Sequence, residues 1–126
     1  MDLLDKVVTL EDGASEFGFK WETASQIMQQ IQSECVEIKE HLGDNFSSDN
    51  SEKLQEEIGD LLHAAFSLCV YCNFNPRETL EQTLAKFERR LNAVKEITQM
   101  QGLSNLNGVP FDDLMAIWDQ AKVRVG

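Results

Sequence analysis

The sequence predicts an all-α protein, a four-helix bundle around one core. Apolar residues recur at helical spacing over long stretches, and no convincing strand alternation appears. Only two prolines and seven glycines interrupt the 126 residues, of which 42% are hydrophobic. This length fits a single domain with one modest core, and this hydrophobic share predicts an ordered chain.

Capping and chain-breaking residues delimit the predicted helices. Thr23 with Gln26 forms a capping box before the first helix, and Asp49 with Glu52 forms a second box before the next. Asn75 is a favourable N-cap for the third helix, and Pro110 precedes the last. After a leader segment, 1–20, in which a short helix is considered, the predicted ranges are about 24–42, 50–71, 76–100 and 111–123.

The charge and cysteine content narrow the class of protein. Eleven basic and 22 acidic residues give a net charge of −11, which argues against nucleic acid as a partner. No stretch reaches the roughly 18 apolar residues of a membrane span, and no signal peptide opens the chain, so we expect a cytoplasmic protein. Three cysteines fit a reducing compartment. "CVYC", 69–72, lacks the second pair of a zinc site, so we interpret its cysteines as structural.

An acidic pair borders the apolar face of the second predicted helix. On a helical wheel Asp60 lies about 60° to one side of Glu57, and the apolar residues occupy the other side, from about 40° to 140°. We therefore expect both carboxylates at the margin of the core. The apolar residues of this arc are Ile58, Leu61, Leu54 and Leu62.

The first predicted helix repeats this arrangement. Glu37 lies about 60° to one side of Glu34, and apolar residues fill the other side, from about 20° to 100°. If the two helices pack through their apolar faces, the two acidic pairs converge. Four clustered carboxylates repel unless protons or cations neutralise them, and oxygen ligands suit Mg²⁺ or Mn²⁺. The alternative from the residues alone is a solvated helix margin. The apolar residues of this arc are Ile27, Ile31, Ile38, Leu42 and Cys35.

Four short motifs resemble one family. "SECVEIKE" and "QEEIGDLL" are similar to the ExxE and ExxD blocks of MazG-type nucleoside triphosphate pyrophosphohydrolases, which belong to the all-α NTP pyrophosphatase superfamily. The nineteen residues between Glu37 and Glu57 suit the family's variable spacer. The resemblance continues in "KFERRL", 86–91, and "WDQAK", 118–122. It extends over residues 15–125 approximately and implies a MazG-like helical domain.

The resemblance implies an activity and assigns roles to residues. The expected reaction is Mg²⁺-dependent cleavage of a nucleoside triphosphate between its α- and β-phosphates, which gives a monophosphate and pyrophosphate in nucleotide-pool house-cleaning. The expected metal ligands are Glu34, Glu37, Glu57 and Asp60. Glu56 is expected to orient or deprotonate the attacking water, with Lys53 beside it. The positions expected to approach the phosphates and the nucleoside are Lys86, Arg90, Trp118 and Lys122.

One departure from the family pattern and two rival interpretations remain at this stage. Members often carry Asn two residues before the lysine of the KFERR block, where this chain has Leu84. A di-iron carboxylate bundle needs two Glu-x-x-His motifs, and the chain offers only "DLLH", 60–63. A non-catalytic helical module that binds nucleotide or protein is the other rival. We interpret His63 as structural, and His41, one turn beyond Glu37, is a weak candidate for the site.

The width of the apolar surface predicts self-association. Phe66 lies about 180° from Glu57, and Val36 lies about 200° from Glu34, so both helices carry apolar residues outside their main stripes. A second subunit is the simplest cover for such a surface. The resemblance implies the same, and we expect a homo-oligomer, a dimer or a pair of dimers.

Overall fold

A computed structural model describes residues 1–43 and 51–126, and all regular structure in these two ranges is α-helical. The predicted all-α class is therefore confirmed. The predicted leader segment is a full helix of 15 residues, longer than the short helix considered from its sequence. The helices are α1 (Leu3–Phe17), α2 (Ala24–Gly43), α3 (Ser51–Tyr71), α4 (Pro76–Met100) and α5 (Phe111–Val125).

Side-chain caps explain where the first two helices begin, and a glycine explains where α1 ends. The Asp2 carboxylate accepts a hydrogen bond from the Leu4 backbone N–H at 2.8 Å, and Gly18 ends α1 with a φ of 104°. At α2 the Gln26 N–H donates to Thr23 Oγ1 at 3.3 Å, while Gln26 Oε1 accepts from the Thr23 N–H at 3.2 Å. This reciprocal pair confirms the predicted capping box.

The later helix starts agree with their sequence signals where the structure describes them. The Glu78 N–H donates to Asn75 Oδ1 at 3.1 Å, so Asn75 caps α4 as predicted. The predicted box of Asp49 with Glu52 includes a residue outside the described ranges. Pro110 precedes α5 in an extended conformation and offers no side-chain cap.

The chain divides into two compact units, Met1–Thr79 and Leu80–Gly126, which we describe separately; the single-domain interpretation stays a prediction. In the first unit α2 packs along α3, and α1 packs against α3. Glu11 of α1 accepts a hydrogen bond from Ser67 Oγ at 2.6 Å, and His63 Nε2 lies 2.8 Å from the same Glu11 oxygen. These two contacts fasten α1 to α3 and agree with the structural interpretation of His63.

Arg77, in the first turn of α4, also holds the start of α1. Its guanidinium forms an ion pair with the Asp2 carboxylate and lies 3.7 Å from Asp5. The hydrogen bond from Arg77 holds the pKa of Asp2 below its usual value of 3.8. The segment predicted as a leader is thus attached to the rest of the first unit through charged groups at the start and in the middle of the helix.

The second unit has a small apolar core between α4 and α5. Ala93 and Ile97 of α4 pack with Ile117 and Ala121 of α5, and all four side chains are buried. Val94 and Leu106 pack against this group and are partly buried. A turn with Gly102 at a φ of 80° ends α4, a conformation that glycine adopts without steric cost.

The apolar arcs predicted for α2 and α3 coincide only in part with their buried faces, since Ile27 and Leu54 are buried as expected, with 0% and 7% exposure. Ile58 and Leu62 are 41% and 56% exposed, and Leu42 is 54% exposed, although all three were expected to face the core. Glu34 and Glu57, expected at the margin, are buried instead, with 6% and 7% exposure. The reason is that the packed faces of α2 and α3 are rotated toward these carboxylates, so the near side of each apolar arc stays inside and the far side is exposed.

No helix within the described ranges is both long enough and apolar enough to cross a membrane.

Candidate metal centre and nucleotide-binding residues

Glu34 and Glu57 form the buried centre of the helix pair. Glu34 Oε1 accepts a hydrogen bond from Gln30 Nε2 at 2.8 Å, one turn earlier on α2. The second oxygen of each carboxylate, Oε2, is buried and has no hydrogen-bond partner among the described residues. A buried carboxylate oxygen without a donor is unfavourable, so this part of the fold holds acceptors that a cation or a proton would satisfy.

Glu37 and Asp60 complete the acidic group from the exposed sides of α2 and α3. Burial is the main cause that raises the pKa of Glu34 above its usual 4.5, and the nearby charges of Glu37 and Asp60 raise it further. Glu57 adds to this repulsion, while the hydrogen bond from Gln30 opposes it. The structure thus brings Glu37, Glu57 and Asp60 within electrostatic reach of Glu34.

His41 lies beside this group, in the last turn of α2. Its Nδ1 atom is 3.0 Å from the Glu37 backbone carbonyl oxygen and 3.3 Å from Glu57 Oε2. The second distance is within the range of an ion pair, but the atoms are not aligned for a hydrogen bond. Glu57 Oε2 therefore has no hydrogen-bond partner among the described residues. From the sequence His41 was a weak candidate because of its position one turn beyond Glu37, and in the structure it contacts residues of both helices.

The donor set fits a hard divalent cation by its chemistry, although the ligands are not assembled into a cage. In the described ranges, no three Asp, Glu, His or Cys side chains surround a common point closely enough to hold a metal ion. The two unpaired buried oxygens and the repulsion around Glu34 are the features that a cation would relieve. Glu37 and Asp60 are exposed, so their carboxylates have solvent space in which to turn.

Lys53 and Glu56 lie on the N-terminal part of α3, before Glu57, and both are exposed. Lys53 is one helical turn before Glu57 and therefore shares its side of the helix. Glu56 is the sequence neighbour of Glu57 and points about 100° away from it. Their positions neither support nor contradict the catalytic roles that the resemblance implied.

The second unit brings together two of the four residues expected to bind the nucleotide. The Arg90 guanidinium carbon lies 5.7 Å from the centre of the Trp118 ring, and Arg90 Nε donates to the Gly126 carbonyl oxygen at 3.2 Å. Phe87 packs on the same indole, with ring centres 5.9 Å apart. Sequence reasoning missed Phe87, although its position three residues before Arg90 on α4 was a usable signal.

The other two of the four residues expected to bind the nucleotide, Lys86 and Lys122, are solvent-exposed. Lys122 Nζ lies 3.4 Å from Asp119 Oδ1, an ion pair between exposed side chains that contributes little to stability. Lys86 is exposed on α4, and so is Leu84, which stands where the family often has Asn. The acidic group belongs to the first unit, and the basic and aromatic residues belong to the second.

These features define a class of protein: an all-α chain in which two packed helices carry an ExxE and an ExxD motif and bury the first glutamate of each. Comparison with known families shows that residues 22–95 match the MazG nucleotide pyrophosphohydrolase domain. The match covers more than half of the chain, so this protein belongs to that family. It includes the acidic group, Lys86 and Arg90, and it ends before Trp118 and Lys122.

Curated relatives extend the similarity over most of the chain. The Nucleoside triphosphate pyrophosphohydrolase/pyrophosphatase MazG of Thermotoga maritima is 29% identical over 113 residues, 90% of this chain and 41% of the relative. The Nucleoside triphosphate pyrophosphohydrolase of Escherichia coli K12 is 27% identical over the same share of this chain and 42% of its own. The Uncharacterized protein YabN of Bacillus subtilis is 29% identical over 73 residues. This chain therefore spans about two fifths of the length of the first two relatives.

Proposed function

We propose that this protein is a metal-dependent nucleoside triphosphate pyrophosphohydrolase. Its reaction would be hydrolysis of a ribo- or deoxyribonucleoside triphosphate between the α- and β-phosphates, with a monophosphate and pyrophosphate as products. The observation that carries the proposal is the pair of buried, unpaired carboxylate oxygens of Glu34 and Glu57 in a MazG-family helix pair. A fold gains nothing from such a pair unless a ligand compensates it.

In this proposal Mg²⁺ is held by the four carboxylates, and Mn²⁺ is an alternative because oxygen ligands suit both. When bound, the cation supplies charge neutralisation for the phosphates and lowers the pKa of water. The ligands are Glu34, Glu37, Glu57 and Asp60.

In this proposal Glu56 takes the proton of the attacking water, and Lys53 offsets the charge of the phosphates. Glu56 accepts a proton from the attacking water, whose oxygen forms a bond to a phosphorus atom of the α–β anhydride. The bond from that phosphorus to the bridging oxygen breaks, and the nucleotide separates into monophosphate and pyrophosphate. Lys53, one turn from Glu57, lies where a cation can offset the charge of the phosphate chain.

Four residues of the second unit are proposed to bind nucleotide. Lys86 and Arg90 are four residues apart on α4 and offer two cations on one helix side for phosphate oxygens. Trp118 offers an aromatic face to the base, and Lys122 a further cation. Because the Arg90 guanidinium covers one face of the indole, a base would stack on the other face or displace Arg90.

A product assay tests the proposal directly. Purified protein is incubated with each common ribo- and deoxyribonucleoside triphosphate and Mg²⁺, and the phosphate products are separated by anion exchange. We expect monophosphate and pyrophosphate, and no turnover when EDTA replaces Mg²⁺. Orthophosphate with a diphosphate would contradict the proposal. Nucleotide binding without any turnover would favour the non-catalytic module, the rival that the Leu84 departure keeps open.

The assembly and location follow the same interpretation. We propose a homo-oligomer, a dimer or a pair of dimers, because Ile58 and Leu62 present an exposed apolar strip along α3 in the single chain. Phe66, predicted to contribute, is only partly buried in the first unit. The three free thiols agree with a reducing compartment, and we propose the cytoplasm and a house-cleaning role in the nucleotide pool.

A further inference from the structure

His41 is a half-buried histidine in contact with the acidic group, and the proposed reaction gives it no role. Its side chain is 21% exposed and that of Glu57 is 9% exposed, so their contact is largely shielded from solvent. The Glu37 carbonyl oxygen, 3.0 Å from His41 Nδ1, only accepts hydrogen bonds. Nδ1 must therefore carry the proton for this contact to be favourable, and the contact fixes the tautomer of the ring.

The same N–H faces the second helix. Glu57 Oε2 lies 3.3 Å from His41 Nδ1 and has no hydrogen-bond partner among the described residues. A small rotation of the Glu57 carboxylate would let it share this proton with the Glu37 carbonyl. His41 Nδ1 thus contacts the backbone carbonyl oxygen of Glu37 on α2. The same nitrogen faces the buried carboxylate of Glu57 on α3.

We propose that His41 is a positioning residue, which holds the Glu57 carboxylate in the orientation that binds the divalent cation. This inference rests on the proposed metal-dependent function. His41 does not ligate the cation through Nδ1, because that atom carries a proton and has no free lone pair. Its contribution is to limit the rotation of Glu57 before the cation arrives. Hydrogen-bond partners of metal ligands typically change metal affinity about 10- to 100-fold when removed.

A pair of substitutions isolates the proton from the shape of the side chain. Asn and Leu have nearly the same size and branching, but only Asn places an N–H at the position of Nδ1. We expect His41→Leu to weaken metal binding by about tenfold or more and His41→Asn to remain within about threefold of the unsubstituted protein. The matched control is His63→Leu, the same deletion at the histidine that contacts Glu11, which should leave metal affinity unchanged.

The measurement uses Mn²⁺ alone, with no nucleotide present. Free Mn²⁺ is followed by electron paramagnetic resonance during titration, and Mg²⁺ is added to displace it. Circular dichroism in EDTA checks that each variant keeps its helix content; His41→Ala replaces His41→Leu if the latter fails to fold. The readout is a dissociation constant, so it does not depend on turnover.

The outcomes separate the two proposals. If the unsubstituted protein binds Mn²⁺ and His41→Leu binds it equally well, the role of His41 is refuted and the metal-dependent function stands. If His41→Asn loses as much affinity as His41→Leu, proton donation by Nδ1 is refuted. If the unsubstituted protein binds no metal, the proposed function fails and the inference fails with it.

Discussion

Replacing Glu34 by Gln should stabilise the metal-free protein while it removes metal binding. Glu34 is the acidic residue whose pKa is raised, mainly by burial and further by Glu37 and Asp60. Gln has the same length and keeps an Oε1 that can accept the hydrogen bond from Gln30. The substitution therefore removes the charge and leaves the packing almost unchanged. The new amide N–H groups can donate to the carboxylates that Glu34 repels.

The magnitude follows from the unpaired oxygen. A buried acceptor without a donor costs about 1–3 kcal/mol, and more when it is charged. We expect Glu34→Gln to recover about 1–2 kcal/mol of unfolding free energy, because part of the repulsion among the remaining three carboxylates persists. For a chain of this size, each kcal/mol moves the melting temperature by roughly 3 to 5 °C. An increase of roughly 3 to 10 °C is therefore expected in EDTA.

Thermal unfolding followed by circular dichroism, with EDTA and then with saturating Mg²⁺, measures both effects. Mg²⁺ should raise the melting temperature of the unsubstituted protein and have little effect on Glu34→Gln. Glu40→Gln is the matched control, since Glu40 is an exposed glutamate on the same helix. A Glu34→Gln protein that melts below the unsubstituted protein in EDTA, or that differs no more than Glu40→Gln, would refute the reasoning.

The same residue predicts a pH dependence of the metal-free protein. Because the pKa of Glu34 is higher in the folded state than its usual 4.5, the folded state holds this proton more tightly than the unfolded state. Stability in EDTA should therefore increase as the pH falls from neutral through the raised pKa. It should stop increasing from this cause near pH 4.5. Glu34→Gln should lack this component, and an identical pH profile in both proteins would contradict it.

Three further substitutions test other parts of the structure. Asp60→Ala should abolish Mg²⁺-dependent pyrophosphate release without loss of helix content, since only a proposed ligand is removed. Glu11→Ala should destabilise the protein by about 1–3 kcal/mol, because Ser67 loses its acceptor, and hydrogen exchange should become faster in α1, Leu3–Phe17. Leu62→Glu, at a side chain 56% exposed on the apolar strip of α3, should shift sedimentation from oligomer to monomer.

The predictions for Glu11→Ala and Leu62→Glu each have a control on the same chain. Glu16→Ala removes an exposed carboxylate from α1 and should leave exchange in this helix unchanged. Val123→Glu places a charge at a side chain that is 89% exposed on α5, and the assembly should tolerate it. Unchanged turnover in Asp60→Ala, equal exchange rates in Glu11→Ala, or a stable oligomer in Leu62→Glu would each contradict the corresponding argument.

Helix positions could be read from the sequence because local signals determine them. The box of Thr23 with Gln26 and the Asn75 cap mark helix starts through hydrogen bonds within a few residues of each other. The α1 helix was underestimated because Gly13 and Ser15 weaken the local helical preference. Its stability comes instead from contacts of Glu11 with α3, which lies more than fifty residues away and leaves no local trace.

The face on which α2 and α3 meet could not be read from hydrophobic periodicity. A helical wheel assigns the core to the widest apolar arc, and it therefore placed Ile58 and Leu62 inside and Glu57 at the margin. In the first unit the structure buries Glu57 and exposes Ile58 and Leu62, while Leu54 of the same arc stays buried. Glu37, Glu57 and Asp60 still come within electrostatic reach of Glu34, because both helices carry their acidic pair at the same offset from the apolar arc.

Burial of Glu34 and Glu57 makes sense as a trade between stability and ligand binding. Each unpaired oxygen lowers the stability of the metal-free fold by about 1–3 kcal/mol, the cost of a buried acceptor without a donor. A cation present at 100 times its dissociation constant adds about 2.7 kcal/mol to the stability of the state that binds it. The two terms are of similar size, so under the proposed function the cation offsets the strain that its own ligands impose. The exposed strip of Ile58 and Leu62 follows from the same arrangement, because a face turned toward Glu57 keeps Leu54 inside and leaves the far side of the apolar arc in solvent.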